Sequence, residues 1–391
     1  MLNFSYCSPT NFVFGKDTEQ QVGELISEYS VKRKVLIVYG SDRVKKSGLM
    51  DKVEDALHTA GISYVELSGV QPNPLISLVR EGIDLARKEA VDFILAVGGG
   101  SVLDTGKGIA CGVPYAGDIN DFLSMQAEPQ SVLPVGVILT LSATGSEGSN
   151  CAVITNDEGE KAGLCNELIR PKFAIMDPAL TCTVPQWHTA CGSCDIMAHI
   201  LEAYFTPTED VEATDEFIEG LLRTVIRFAP VAIETPDNYN ARAQLMWCGM
   251  LANSGFFHVG RLADTAPHAL GECLGAKLTH GATLSAVIPS WMAYTYQKKL
   301  DRYIRYAEKV WGIDTSSMTK EEAARSGVEA TRAFFVKLGA PVSLEELGLD
   351  PDTAPERLAA GDFFGWTQIP GFIFELDEAD RRSIYEMAAR K

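Results

Sequence analysis

The sequence predicts a two-part protein, an α/β unit with a parallel sheet followed by an all-helical unit. Up to about residue 180, short apolar runs rich in β-branched residues alternate with helical stretches, the pattern of successive βαβ units. Beyond that point strand signals stop and long helical stretches take over. The chain has 391 residues, which matches two domains at ~100–200 residues each. The expected division is 1–180 and 181–391.

The elements follow in order. Lys34–Gly40 (KVLIVYG) is a short apolar run closed by glycine and reads as a buried strand. A helical stretch to about Thr59 follows, then a second strand at Ser63–Leu67. The turn Gln71-Pro72-Asn73-Pro74 ends it, because proline lacks the N–H a ladder needs. Leu75 to Glu89 has helical apolar spacing at Leu75, Leu78, Val79, Ile83 and Ala86. Asp92–Val97, Val135–Leu139 and Phe173–Met176 are further buried strands. In the second half, Cys191–Phe205, Val211–Phe228, Tyr239–Gly255 and Leu300–Val310 read as helices. No Gly/Ser linker separates the halves, so they are expected to pack tightly with a cleft between them. The charged end, Asp377–Lys391, reads as a solvated amphipathic helix.

Composition excludes several classes. Hydrophobic residues make up 46% of the chain, and 34 Lys and Arg stand against 52 Asp and Glu, a net charge of −18. Phosphate-rich partners would be repelled, which argues against a nucleic-acid or anionic-membrane binder. No run of eighteen apolar residues is present, so no membrane-spanning helix is expected. The first residues lack the basic and apolar regions of a signal peptide. The nine cysteines are scattered rather than framed as a disulfide scaffold, so the expectation is a reduced, cytoplasmic protein.

Three segments carry chemistry. Gly98-Gly99-Gly100-Ser101-Val102-Leu103-Asp104 directly follows the third strand. Glycines let a backbone approach a ligand closely, Ser101 is placed to cap the next helix, and a helix N-terminus favours phosphate. This is not the G-x-G-x-x-G fingerprint of the ordinary Rossmann fold. A hydroxyl-rich loop, Thr140-Leu141-Ser142-Ala143-Thr144-Gly145-Ser146-Glu147, leaves the fourth strand; it suits a ribose or nicotinamide, or merely caps a helix. At the end of the first strand, Gly40-Ser41-Asp42-Arg43 lies where an adenosine ribose would sit. Asp42 is placed to accept from a 2′-hydroxyl and Arg43 to pair with a 2′-phosphate; a solvated loop is the alternative. Finally, Asp195 and His199 are four apart on one helix face, and His268 and His280 follow in a glycine-punctuated segment. One carboxylate and three imidazoles suit Fe²⁺ or Zn²⁺; buried histidines bonded to backbone are the alternative. Cys191-x-x-Cys194 has no second such pair and reads as core.

Taken together, LIVYGSDRVKKSGL (36–49), PNP (72–74), AVGGGSVLDTGKGIA (96–110), TLSATGSEGS (140–149), RPKFAIMDPALT (170–181), CDIMAHILEAY (194–204), GRLADTAPH (260–268) and THGATLSAVIPSWM (279–292) resemble the iron-containing alcohol dehydrogenases, within them the butanol-dehydrogenase-like branch. The resemblance implies a dehydroquinate synthase-like architecture. Residues 1–180 would be a dinucleotide-binding domain of GGGS type and 181–391 a helical metal-binding domain, assembled as a homodimer or larger homo-oligomer. It implies metal ligation by Asp195, His199, His268 and His280. Gly98, Gly99, Gly100, Ser101 and Asp104 would surround the cofactor pyrophosphate, with Thr140, Ser142 and Thr144 toward the nicotinamide ribose and Lys161 and Leu180 nearby. Gly40 stands where NAD users carry aspartate and so favours NADP over NAD, although Asp42 and Arg43 replace small residues there. The expected activity is metal-dependent, NAD(P)-linked hydride transfer between a nicotinamide and a small primary alcohol or aldehyde. A glycerol-dehydrogenase-like polyol oxidoreductase, a dehydroquinate synthase relative and a non-catalytic nucleotide- or metal-binding protein are the alternatives. The chain departs from the pattern at Glu272, where the family usually places a histidine that relays the proton, and in a following segment two residues short. Glu272 is therefore expected either in the cleft as an acid–base group or turned outward into a salt bridge.

Overall fold

The computed structural model describes residues 1–361 and 375–391. The chain forms two compact units: Cys7–Thr183, and Val184–Lys391 together with the N-terminal Met1–Tyr6. The N-terminal six residues therefore pack with the helical part, a boundary that no local sequence pattern announces. Leu2 N–H donates to the Gly260 carbonyl at 2.8 Å, and Tyr6 meets Phe256 edge to face.

The first unit contains β1 (Asn11–Phe14), α1 (Val22–Ser27), β2 (Lys34–Tyr39), α2 (Arg43–Lys46), α3 (Leu49–Thr59), β3 (Ser63–Leu67), α4 (Ile76–Lys88), β4 (Phe93–Gly98), α5 (Gly100–Gly112), α6 (Asn120–Leu123), β5 (Val135–Leu139), β6 (Cys151–Thr155), β7 (Lys161–Cys165) and β8 (Phe173–Met176). Six strands form one sheet in the order β1-β8-β5-β4-β2-β3, every pairing parallel. Covered on both faces, the central strands have no polar face to show. Every residue of β4 and β5 is buried, which is why they read as continuous apolar runs instead of alternating ones. The loops leaving β2, β4 and β5 all emerge at the carboxyl edge of the sheet, where open α/β sheets bind ligands.

An antiparallel hairpin of β6 and β7 was not expected from the sequence. Its strands are short, and Val153 and Cys165 face solvent, so no strong alternation marks it. Its turn is closed by Asn156, whose Oδ1 accepts from the N–H groups of Glu158 and Glu160. Cys151 and Cys165 face each other directly across the ladder and are joined by a disulfide. The expectation of free thiols throughout fails here: cross-strand proximity, not sequence spacing, makes the pair.

The second unit contains α7 (Gln186–Tyr204), α8 (Glu212–Glu234), α9 (Tyr239–Asn253), α10 (Ala266–Glu272), α11 (His280–Thr295), α12 (Leu300–Lys309), α13 (Lys320–Lys337), α14 (Ala354–Ala359) and α15 (Glu378–Ala388). Its core gathers Tyr204, Phe205, Trp291, Tyr303, Tyr306 and Phe335, all fully buried. Phe205 stacks on Tyr303 with ring centroids 4.3 Å apart, an aromatic contact worth ~0.5–1.5 kcal/mol beyond area burial. Helices α7 and α11 are apolar nearly all round, as befits helices enclosed by others. They meet at Gly281, where a Cβ would stand 1.9 Å from the Cys191 carbonyl oxygen. Only glycine permits this backbone contact, and it sets the residue before it, His280, against α7. No described helix is long and apolar enough to cross a membrane.

Candidate active site

In the helical unit, α7 carries Asp195 and His199 one turn apart. α10 carries His268 in its first turn, and His280 opens α11. Asp195, His268 and His280 offer ligand atoms within 4.8 Å of one another. Nε2 of His268 and Nε2 of His280 lie 3.7 and 3.5 Å from Asp195 Oδ1. Donors about 2.1 Å from a shared ion stand roughly 3.4 Å apart in a tetrahedron, so the observed spacings fit one ion. Asp195 Oδ1 and His268 Nε2 are buried and make no hydrogen bond. Buried polar atoms are ordinarily paired; two unpaired atoms aimed at one point are what a cation would satisfy.

His199 stands beside this set. Its ring is 4.4 Å from that of His268, and its Nδ1 hydrogen-bonds the Asp195 carbonyl oxygen at 2.9 Å, leaving Nε2 as the nitrogen available to an ion. The electrostatics are those of a charge cluster. Burial disfavours the Asp195 carboxylate, yet His280, His199 and His268 hold its pKa well below the ordinary range. Burial and the neighbouring His268 push His199 down to about 4. For His268, burial opposes the charged ring, but Glu202 and Asp195 outweigh it and lift the pKa to about 10.

Glu202 is the residue that sequence reasoning missed. It is buried, and its Oε1 lies 2.7 Å from His268 Nδ1 while accepting the His268 backbone N–H at 3.0 Å. It sits seven residues after Asp195 and three after His199, on the same stripe of α7. An acidic residue at that spacing in an apolar helix was the available signal. Glu272 stands beside His280. Its side chain is mostly buried, and Oε1 lies 3.2 Å from His280 Nδ1. His188 is half-buried and His58 exposed. Cys191 and Cys194 are buried free thiols, and burial pushes Cys191 up to about 12.

In the α/β unit the glycine loop bridges β4 and α5. Gly99 is the N-cap of α5 and no side chain caps the helix, so its first amides have no acceptor within it. Ser101 lies inside the helix instead of capping it, and its Oγ accepts the Asn73 N–H at 3.3 Å. The three glycines have different reasons. A Cβ at Gly98 would stand 2.5 Å from the Val102 side chain and one at Gly100 2.4 Å from Thr144 Oγ1, whereas one at Gly99 meets Leu141 at 3.3 Å. Gly98 and Gly100 thus serve internal packing, and Gly99 is the freer position. Asp104, expected at the pyrophosphate, is engaged internally: Oδ1 accepts from Ser146 Oγ at 2.6 Å and Oδ2 from the Val153 N–H at 3.0 Å. Beneath it the buried Lys107 Nζ donates to the carbonyls of Ser146, Ser149 and Cys151 and to Ser146 Oγ. Burial lowers its pKa to about 8.

This network anchors the hydroxyl loop and the hairpin to α5. Thr140 N–H donates to the Gly98 carbonyl, and Thr144 Oγ1 accepts the Ser146 N–H. Ser142 Oγ is buried without a hydrogen bond. Lys161 opens β7, and Leu180 packs at the edge of the core under the sheet. Gly40 follows β2, with the Val70 carbonyl oxygen 3.3 Å from where its Cβ would be. Asp42 is the exposed N-cap of α2.

The model of the iron-containing alcohol dehydrogenases matches residues 9–178, and that of the family's C-terminal domain matches residues 189–361. The chain belongs to this family. As an iron-containing alcohol dehydrogenase, it is 42% identical over 356 residues to the NADH-dependent butanol dehydrogenase A of Clostridium acetobutylicum, covering 90% of this chain and 91% of the relative. It is 37% identical over 394 residues to the NADPH-dependent aldehyde reductase YqhD of Escherichia coli, covering 99% and 100%. The crystal structure of the NADH-dependent butanol dehydrogenase A from Thermotoga maritima superposes with a TM-score of 0.93 at 37% identity, over 100% of this chain and 99% of that one. The dehydrogenase fold and family are thus independently matched in sequence and structure.

Proposed function

We propose that this chain is a metal-dependent, NAD(P)-linked alcohol dehydrogenase and aldehyde reductase acting on small primary alcohols or their aldehydes. The observation that carries the reading is the convergence of ligand atoms of Asp195, His268 and His280 on one point, with Asp195 Oδ1 and His268 Nε2 buried and unsatisfied there. One divalent ion, Fe²⁺ in the family's pattern, would be held by these three with His199 Nε2 as fourth donor. When bound, the metal supplies Lewis acidity at the reacting carbon–oxygen group and the nicotinamide gives or takes hydride. The residues of the chain do the rest. Asp195 supplies negative charge that offsets the ion's, and its low pKa keeps that charge in place across the physiological range. The Gly99, Gly100 and Ser101 amides at the start of α5 receive the pyrophosphate, and Ser142 Oγ offers a hydrogen bond to the cofactor.

Glu272 was expected either as an acid–base group in the cleft or turned outward into a salt bridge. Its oxygen faces the Nδ1 of His280, whose Nε2 is the atom toward Asp195, which supports a role in orienting that ring. Gly40 and Arg43 support a preference for NADPH over NADH. A homodimer or larger homo-oligomer in the cytoplasm completes the proposal, checked by light scattering and cell fractionation. The activity test is reduction of butanal by NADPH or NADH in protein reconstituted anaerobically with Fe²⁺ or Zn²⁺. Turnover that appears with metal and disappears with a chelator supports the reading. Turnover equal in metal-stripped protein contradicts it.

A further inference from the structure

The three imidazoles around Asp195 share one arrangement: each has its Nδ1 turned to an oxygen acceptor of the protein. For His199 that acceptor is the Asp195 carbonyl, for His268 the Glu202 carboxylate, and for His280 the Glu272 carboxylate. An imidazole that donates from Nδ1 presents Nε2 as a lone pair, the form a metal needs. Two of the three acceptors are carboxylates.

We propose that Glu202 is a positioning residue for the metal: by accepting from both the Nδ1 and the backbone N–H of His268, it fixes the ring's tautomer and aims Nε2 at Asp195 Oδ1. The proposal rests on the metal-site reading above. The geometry is over-determined in a way a chance contact is not. One oxygen, Glu202 Oε1, takes both His268 bonds, at 2.7 and 3.0 Å, while the Glu202 carbonyl accepts the Asp264 N–H at 2.9 Å. The start of α10 is thereby tied twice to α7, and the imidazole cannot rotate about its Cβ without breaking a charge-assisted bond. Glu202 also adds negative charge that raises the basicity of the ring. Glu272 holds His280 in the same sense but less firmly. The separation is 3.2 Å, and His280 Nδ1 forms no aligned hydrogen bond. The residue that replaces the family's usual histidine thus joins the support of a ligand.

A purely structural rival exists, because a carboxylate near the first turn of α10 also satisfies a free amide there. The two roles separate in Glu202→Gln. Glutamine keeps an oxygen that can accept from both groups but loses the charge that strengthens the bond to Nδ1 and adds basicity to the ring. Metal-stripped wild type, Glu202→Gln, Glu202→Ala and Glu272→Gln are titrated with Co²⁺ alone, following its visible ligand-field absorption against a competing chelator. The melting temperature of each metal-free protein is measured alongside. Glu202→Gln should bind Co²⁺ roughly 10-fold more weakly, Glu202→Ala up to roughly 100-fold, and Glu272→Gln less weakly than either. The metal-free melting temperature of Glu202→Gln should match wild type. Wild-type affinity in Glu202→Gln and Glu202→Ala would overturn the proposal while leaving the metal site standing. Failure of wild type itself to bind Co²⁺ would overturn both. Should Glu202→Ala not fold, Glu202→Gln decides alone.

Discussion

The two units differ in how they treat buried polar atoms. Around the glycine loop almost every polar group is answered from within: Lys107 has four acceptors, and both oxygens of Asp104 are engaged. Ser142 Oγ is left unanswered, as is Thr155 Oγ1 in the adjoining hairpin. Around Asp195 the reverse holds, with a carboxylate oxygen and an imidazole nitrogen buried and unanswered. An unanswered buried polar atom costs about 1–3 kcal/mol, more when charged. The helical unit carries a deficit that a cation would relieve, whereas the α/β unit is a scaffold that leaves the first backbone amides of α5 without a side-chain cap. A metal site is therefore legible as a deficit, and a dinucleotide site as a shape.

The largest expected effects test the deficit. Asp195→Asn or His268→Ala should abolish metal binding and lower kcat/KM for aldehyde by 10³-fold or more, while NADPH still binds by fluorescence titration. Metal at full occupancy in either variant would break the comparison. Next comes Gly281→Val. Its side chain has no room beside the Cys191 carbonyl, so α11 must retreat from α7. Stability should fall by about 2–5 kcal/mol in urea unfolding, in the range of overpacked or strained core sites, and metal affinity should fall with it. Third, the shape of the glycine loop predicts a contrast between neighbours. Gly99→Val should raise the NADPH KM about 10-fold or more with near-normal stability, because its Cβ has space but blocks phosphate approach. Gly100→Val should chiefly destabilise, because it meets Thr144. Equal effects on KM and on stability at both positions would erase the distinction drawn between them.

The smallest effect concerns Glu147, buried beside the hydroxyl loop. Burial pushes its carboxyl up to about 7 despite its backbone hydrogen bond and Lys107. The folded protein then binds this proton more tightly than the unfolded chain, so the contribution to stability is complete below pH ~4.5 and is lost as pH rises through about 7. Glu147→Gln should remove that slope from unfolding free energies measured between pH 5 and 7.5.

Much of this was legible in the sequence, for identifiable reasons. The strands β2, β4, β5 and β8 announce themselves because burial on both faces leaves nothing but apolar residues. Asp195 and His199 were legible because a helix places positions four apart on one face. His268 and His280 could be named as candidates, but the eleven residues between them carry no periodicity that joins them to Asp195, and the family motif supplied that link. Gly281 reveals its purpose only when α7 lies against it. Ser101 was expected to cap α5 and lies inside it instead, because a glycine loop's local pattern does not tell which polar side chains turn toward Asn73, as Ser101 does, or toward Ser146 and Val153, as Asp104 does. The Cys151–Cys165 bond needed the hairpin before the pairing could be seen.

The central claim is that Asp195, His268 and His280 hold the ion on which turnover depends. Its most direct test is to strip the protein of metal under anaerobic conditions and add Fe²⁺ back in substoichiometric steps, measuring iron per chain by elemental analysis and butanal reduction at each step. Activity should rise linearly and stop at one iron per chain, and His268→Ala should gain neither iron nor activity. Full activity in the stripped protein, or an unaltered titration in His268→Ala, would contradict it.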